Sequence, residues 1–298
     1  MGGNEELARR FEEHRPHLRA VAYRMLGSLA ESEDAVQEAW IRLSRSDTGA
    51  VENLGGWLTT VVGRLCLDML RSRTTRREDP LHGEDGRVRL PDPVVSRADG
   101  LDPEQEVLLA DSVGIALMVV LETLTPAERL AFVLHDLFAV PFDEIAPVLG
   151  RGAAATRQLA SRARRRVQGA VPSPAPDRER LRAIVDAFLS ASRGGDFEAL
   201  MTLLDPDVVA RSDGGALRPG LVRRGAAEVA SQAVTFARFA EAAHPVLVNG
   251  LPGVLAMAEG RAMSVMAFTV RDGRITALDI LTDLERLARI DPVALGAA

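Results

Sequence analysis

The stretch that most limits what this chain can fold into runs from Phe142 to Val167, FDEIAPVLGRGAAATRQLASRARRRV. Phe142, Ile145, Ala146 and Leu149 recur at helical spacing, and Gly150 and Gly152 bracket a break, so the segment predicts two short helices joined by a tight turn. The second helix carries Arg157, Arg162, Arg164, Arg165 and Arg166 with no acid among them. A helix-turn-helix whose first turns meet base edges and whose later turns grip phosphate has this composition. A solvated, arginine-rich face on an ordinary helical hairpin has it too, and the choice between the two rests on the rest of the chain.

With 298 residues and 47% hydrophobic content, the chain is long enough for two or three compact domains. No apolar run approaches the ~20 residues that span a bilayer. The opening MGGNEELARRFEEHRPHL is charged where a secretory signal is apolar, so a cytoplasmic protein with no membrane partner is expected. The single cysteine, Cys66, sits in the apolar run from Trp57 to Leu70 and reads as a small buried hydrophobe in a reducing compartment. No cofactor or metal is expected. The net charge of -6 argues against a protein that coats nucleic acid along its length, but the sign varies along the chain. Residues 31–38, ESEDAVQE, are acidic, whereas Arg64, Arg71, Arg73, Arg76 and Arg77 are offset in their stretch only by Asp68.

Apolar periodicity predicts a first helical domain over residues 5–77. A helix with Leu7, Phe11, Leu18, Val21, Met25 and Leu26 on one stripe is stopped by Gly27-Ser28. A second runs from about Ser32 to Leu43 with Ser32, Glu33 and Asp34 at its positive N-terminal end. After a polar loop, a third covers Trp57 to Arg73. Residues 78–107, rich in Pro, Gly and Asp and containing RLPDPVV, predict a linker. Residues 108–170 predict a second helical domain, in which Thr125 caps a helix that has Pro126 at its first position. VPSPAPD, residues 171–177, is a stiff spacer. From 178 to 291 the grammar changes to two helices, broken at Gly194-Gly195, and then strands over His244–Val248, Val254–Ala258, Ser264–Val270 and Ile275–Leu281. The fold class read from these patterns is two all-α domains, the second with the helix-turn-helix, followed by an α+β domain.

The order of an acidic helix with DAVQEAW, a tryptophan-led WLTTVVGRLCLDMLRSR helix, a linker and a helix-turn-helix ending SRARRRV resembles the bacterial extracytoplasmic-function (ECF) sigma factors over roughly residues 5 to 170. The segment from about residue 178 is similar to the SnoaL-like, ketosteroid-isomerase-like cone fold appended to a subgroup of that family. The resemblance implies a promoter-recognition subunit that acts by binding, not catalysis. Its partners would be the β′ and β subunits of core RNA polymerase and promoter DNA, with a small-molecule ligand or an anti-sigma protein as further partners. Asp34, Gln37, Glu38 and Trp40 map onto the polymerase-binding face. Arg64, Arg71 and Arg73 map onto phosphates of the −10 element, and the loop from Ser46 to Leu54 onto the pocket for a flipped base. Arg157, Gln158, Ser161 and Arg162 fall where −35 bases are read, Thr156 beside the DNA backbone, and Arg164, Arg165 and Arg166 on phosphates.

For regulation, the resemblance points to the linker residues Leu90, Pro91, Asp92 and Pro93, to Asp213, Gly214 and Gly215, and to Asp291 and Pro292. Asp213-Gly214-Gly215-Ala216 lacks the further glycine and lysine usual in that tail motif, and Asp291-Pro292-Val293-Ala294-Leu295 only partly keeps the subgroup's ending. The other reading makes the chain bifunctional, its tail an enzyme or sensor of a small molecule. Asp213, His244, Asp279 and Asp283 are the candidate general bases for such an enzyme, and none forms a recognisable pair by spacing.

Overall fold

The structure, a computed structural model, describes residues 2–46, 53–75, 88–100, 114–168, 177–215, 220–236 and 243–296. It divides into two compact units: Met1–Asp79 with Pro103–Asp111 and Leu117–Ala170, and Pro80–Asp102 with Ser112–Ala116 and Val171–Ala298. The first unit opens with α1 (Gly2–Leu26), α2 (Leu29–Arg45) and α3 (Leu54–Thr75). Their apolar stripes meet at Leu18, Val21, Met25, Val36, Leu43, Leu58 and Val62, all sealed from solvent. Gly27, in the left-handed region at φ 67°, ends α1. The Ser28 side chain then accepts from the Glu31 backbone N–H, so α2 starts at Leu29. The sequence places that start near Ser32. Ser32 is instead buried and its hydroxyl donates to the Ser28 carbonyl, a local bond that apolar periodicity does not register.

The same unit continues with α4 (Gly114–Glu122), which enters it at Leu117, α5 (Pro126–Phe132) running into a single π-helical turn (Val133–Leu137), α6 (Phe142–Leu149) and α7 (Ala153–Gln168). Thr125 and Glu128 cap each other's backbone N–H groups at the start of α5. Gly150, left-handed at φ 63°, ends α6 and makes the turn of the helix-turn-helix. The linker reading predicts two separate helical domains here, and the structure joins them. Gly63 on α3 comes so close to α5 that a Cβ would lie 3.1–3.2 Å from Leu134 and Leu130. The Nε of Arg129 donates to the Arg24 carbonyl at 3.1 Å, while its Nη1 pairs with Glu122 at 2.8 Å, both side chains buried. A buried arginine needs acceptors, and these two tie α5 to α1 and α4.

The second unit is built on a seven-stranded sheet of order β1-β4-β5-β6-β7-β2-β3. The strands are β1 (Val95–Arg97), β2 (Leu204–Asp213), β3 (Leu221–Arg224), β4 (Ala243–Val248), β5 (Leu251–Ala258), β6 (Arg261–Arg271) and β7 (Arg274–Leu281). All neighbours are antiparallel except β2 and β7. Helices α8 (Arg178–Gly194), α9 (Phe197–Leu203) and α10 (Ala226–Thr235) cover one face through Val185, Phe188, Leu200 and Val229. The other face buries Val246, Leu255, Val265 and Leu281 against Leu287 of the single turn α11 (Leu284–Leu287). This is the α+β cone that the resemblance implies. The four expected strands are present as β4 to β7. The first half of β2, Leu-Asp-Pro-Asp, breaks the alternation that marks a strand, so β2 and β3 are not legible beforehand.

One boundary is corrected. Residues 88–97, read as part of a free linker, belong to this second unit, with Val95 opposite Val248 and Arg97 opposite Val246 in the sheet. The tip of the loop that the resemblance maps onto a flipped-base pocket, residues 47–52, Arg76 and Arg77, and most of the proline spacer lie outside the described residues.

Candidate polymerase and promoter interface, and the linker seat

The exposed side of α2 carries Asp34 and Gln37, both open to solvent, with Glu38 half-buried and paired to Arg42 at 3.0 Å one turn on. The buried stripe Ala35, Val36, Ala39 and Leu43 fixes that orientation. Trp40 packs against Phe11 with ring centroids 5.2 Å apart and is half-buried, so it shapes the seam between α1 and α2 more than it extends the acidic face. On α3, Arg64 and Arg71 are exposed, the latter 3.8 Å from Asp68. Arg73 is not a surface cation: it pairs with Glu31 and donates to the Leu26 carbonyl at 3.1 Å. Those partners fasten the end of α3 to the α1–α2 corner, which corrects its expected role on phosphate.

Along α7, Thr156, Leu159, Ala160, Ala163 and Val167 are buried, which leaves Arg157, Gln158, Ser161, Arg162 and Arg165 together on the outer face. Thr156 is corrected as a DNA contact, because it is sealed and its hydroxyl donates to the Gly152 carbonyl at 3.1 Å. Arg157 lies 5.7 Å over the Phe142 ring. Arg164 donates to Asp136 at 2.5 Å, and Arg166 reaches Glu128 at 3.1 Å. These two cations are held by acids of α5 and its π turn; Arg157, Arg162 and Arg165 are not.

The linker residues sit in a cradle on the second unit's sheet. The Leu90 backbone N–H donates to Asp213 Oδ2 at 2.8 Å. Arg286 of α11 then closes the group, giving Nε to Asp92 at 2.7 Å, Nη1 to Asp213 at 2.7 Å and Nη2 to the Leu90 carbonyl at 2.8 Å. A planar guanidinium offers donors on two edges and so serves three acceptors from one side chain. Pro91 is buried and Pro93 half-buried, and their rings fix φ on either side of Asp92. Downstream, Val94 and Asn249 exchange two bonds of 2.8 and 3.0 Å. The other oxygen of Asp213 accepts from Gly215, beyond Gly214, where the backbone is left-handed at φ 69° and a Cβ would lie 2.3 Å from Asp283. Asp291 caps the backbone of Val293 and Ala294, Pro292 is half-buried, and Leu295 packs on the same apolar cluster as Val95 of the linker strand.

Residues 10–76 match Sigma-70 region 2 and residues 115–167 match Sigma-70 region 4. Over 288 residues the chain is 43% identical to the ECF RNA polymerase sigma factor SigJ of Mycobacterium tuberculosis strain H37Rv, covering 90% of this chain and 89% of that protein. The chain belongs to the ECF sigma factor family. The crystal structure of M. tuberculosis SigJ resembles it with a TM-score of 0.75 at 36% identity, over 94% of this chain and 98% of that one, so the likeness runs through the tail.

Sigma factors work by binding core RNA polymerase and promoter DNA, and the tail of this one places none of the four candidate bases in its cavity. Asp213 is taken by Arg286. Asp279 is buried, which pushes its carboxyl above the usual range, only partly offset by the Arg211 guanidinium at 2.9 Å. Asp283 caps α11, and His244 lies on the strand opposite Leu255. Sequence reasoning missed Arg286 and Asn249, the residues that hold the linker. Arg286 sits in LERLARI, where nothing in the pattern distinguishes it from Arg289, and Asn249-Gly250 reads simply as a turn.

Proposed function

We propose that this sigma factor acts in the cytoplasm as a promoter-specific subunit whose tail sets its activity by holding the linker between regions 2 and 4. The acids of α2, exposed Asp34 and half-buried Glu38 with Gln37 beside them, dock on core polymerase, where complementary charge speeds and orients association. Arg64 and Arg71 contact phosphates near the −10 element. The outer face of α7 enters the major groove at the −35 element, with Arg157, Gln158, Ser161 and Arg162 toward bases and Arg165 toward phosphate. Regions 2 and 4 are packed on each other through Gly63 and Arg129, and reading two separated elements requires them to part. The chain between them runs through the cradle of Leu90, Asp92 and Asp213, so contacts that favour the seated linker oppose that separation.

The observation that carries the regulatory reading is the Arg286 hub, one guanidinium joining two linker residues to the tail's Asp213. The test is run-off transcription with purified core polymerase. Arg286→Ala is expected to raise transcript yield, and Asp34→Arg with Glu38→Arg to abolish both transcription and polymerase pull-down at native circular dichroism. An Arg286→Ala protein with unchanged yield would remove the regulatory role, and a double reversal that still binds polymerase would remove the docking assignment.

A further inference from the structure

Between the sheet and helices α8 and α10, the tail encloses a cavity of about 270 Å³ that neither polymerase docking nor the linker seat uses. Its walls are mostly apolar, from Phe188, Val229, Val254, Met266 and Leu278. Four of the six large apolar side chains that the described residues expose, Leu221, Phe236, Met263 and Leu284, line it as well. Exposed apolar side chains gathered on one concavity, rather than scattered, mark a surface meant to be covered.

Ser192, Ser212, Gln232, Ser264 and Thr282 add neutral polar groups to the wall, and its charged part is one-sided. Among the described residues, two arginines and no acid line the cavity. Register removes one of the arginines: Ala210 and Ser212 lie opposite Leu278 and Ile280, whereas Arg211 lies opposite Asp279, so alternation sends the Arg211 side chain to the far face, where it pairs with Asp279. Arg223 lies opposite Ala210 and shares its face. Its Nη1 donates to Glu228 at 2.6 Å, but its Nε is buried with no hydrogen-bond partner. A guanidinium has five N–H donors, and leaving a buried one without an acceptor is costly.

We infer that this cavity binds a small apolar monocarboxylic acid, its carboxylate on Arg223 and its hydrocarbon body against the helix-backed sheet. A carboxylate supplies two acceptor oxygens in the plane that an arginine edge matches, and a short turn of the Arg223 side chain brings the unpartnered Nε–H to one of them. An alkylammonium, the form an alkylamine takes at neutral pH, has no acceptor for Arg223 and repels it. A neutral alcohol supplies an acceptor without the charge. Size follows from volume: a cavity of about 150 Å³ holds benzene, so one nearly twice as large suits a ligand of about eleven non-hydrogen atoms. A medium-chain fatty acid or a monocyclic aromatic acid has that size. This inference stands apart from the control of transcription, because it concerns occupancy of the tail whether or not the linker responds.

The test is isothermal titration calorimetry of the full-length protein with decanoate, decanol and decylamine. Decanoate is expected to bind saturably at one site per chain and at least tenfold more tightly than decanol, with no saturable binding of decylamine. Arg223→Gln should weaken decanoate at least tenfold and leave decanol unchanged. Ala233→Phe, which fills the cavity from α10, should abolish both at an unchanged melting temperature. Absence of saturable decanoate binding overturns the site. Equal affinity for acid and alcohol, or indifference of decanoate to Arg223→Gln, overturns the acid-specific head even if the cavity accepts hydrocarbon.

Discussion

The Cys66 thiol sits at the centre of α3 with no exposed surface, and burial pushes its pKa up to about 12. The thiolate is the reactive form, so the folded protein should resist iodoacetamide at pH 8 and become labelled at the rate at which region 2 unfolds. Mass spectrometry over a urea series checks this; rapid labelling without urea would contradict the burial. His17 behaves oppositely. Burial, followed by repulsion from His14 and Arg24, holds its pKa below the ordinary histidine value. Its ring contacts Thr59 at 3.2 Å and meets Phe138 edge-on at 5.1 Å, so it joins region 2 to region 4 in its neutral form. Because the unfolded chain takes up the proton first, the stability from neutral His17 is complete above about pH 6.5 and is lost as pH falls through the lower folded value. Urea midpoints should therefore drop from pH 7.5 to 5.5, and less steeply in His17→Gln than in the natural protein.

Each helix of the sigma unit shows how one arginine differs from the next. On α7, Arg162 is exposed on the same face as Arg157, one turn before Arg166, which α5 holds through Glu128. Arg162→Ala should cost about 1–3 kcal/mol at one −35 base, whereas Arg165→Ala should weaken all sequences alike and shallow the salt dependence by about one charge. Binding measured across a promoter library at two salt concentrations separates the two; equal losses at every position would erase the division. The helices, caps and the turn at Gly150 were legible because apolar stripes and Thr-Pro or Gly punctuation are local signals. Arg64, Arg73 and Arg166 read alike in sequence. Only tertiary packing shows that Arg73 is consumed by Glu31 and the Leu26 carbonyl while Arg64 remains outside. The linker strand is the same kind of miss, since β1 owes its conformation to partners about 150 residues away in β4, beyond any periodicity window.

At the scale of the molecule, the role proposed for the linker seat is to limit how freely regions 2 and 4 move apart. The last turn, Asp291–Gly296, lies over the cluster that contains Val95 and should act as a retaining flap. Ending the chain after Ile290 is expected to raise run-off transcription severalfold, and ending it after Pro176 to lower it below full length if the tail, besides restraining the linker, also orders it for promoter engagement. Matched protein amounts on one promoter give the comparison, and equal activity of all three chains would count against any role for the tail. Seating also protects the sheet. Among the described residues, the outer edge of β4, Val246 to Val248, pairs only with β1 on that side. If the linker strand lifts away, three residues of unpaired backbone in an apolar setting are uncovered, the template on which another chain's strand can add. On the proposed reading the form most ready to transcribe is also the form most prone to self-association, so its lifetime should shorten as protein concentration rises.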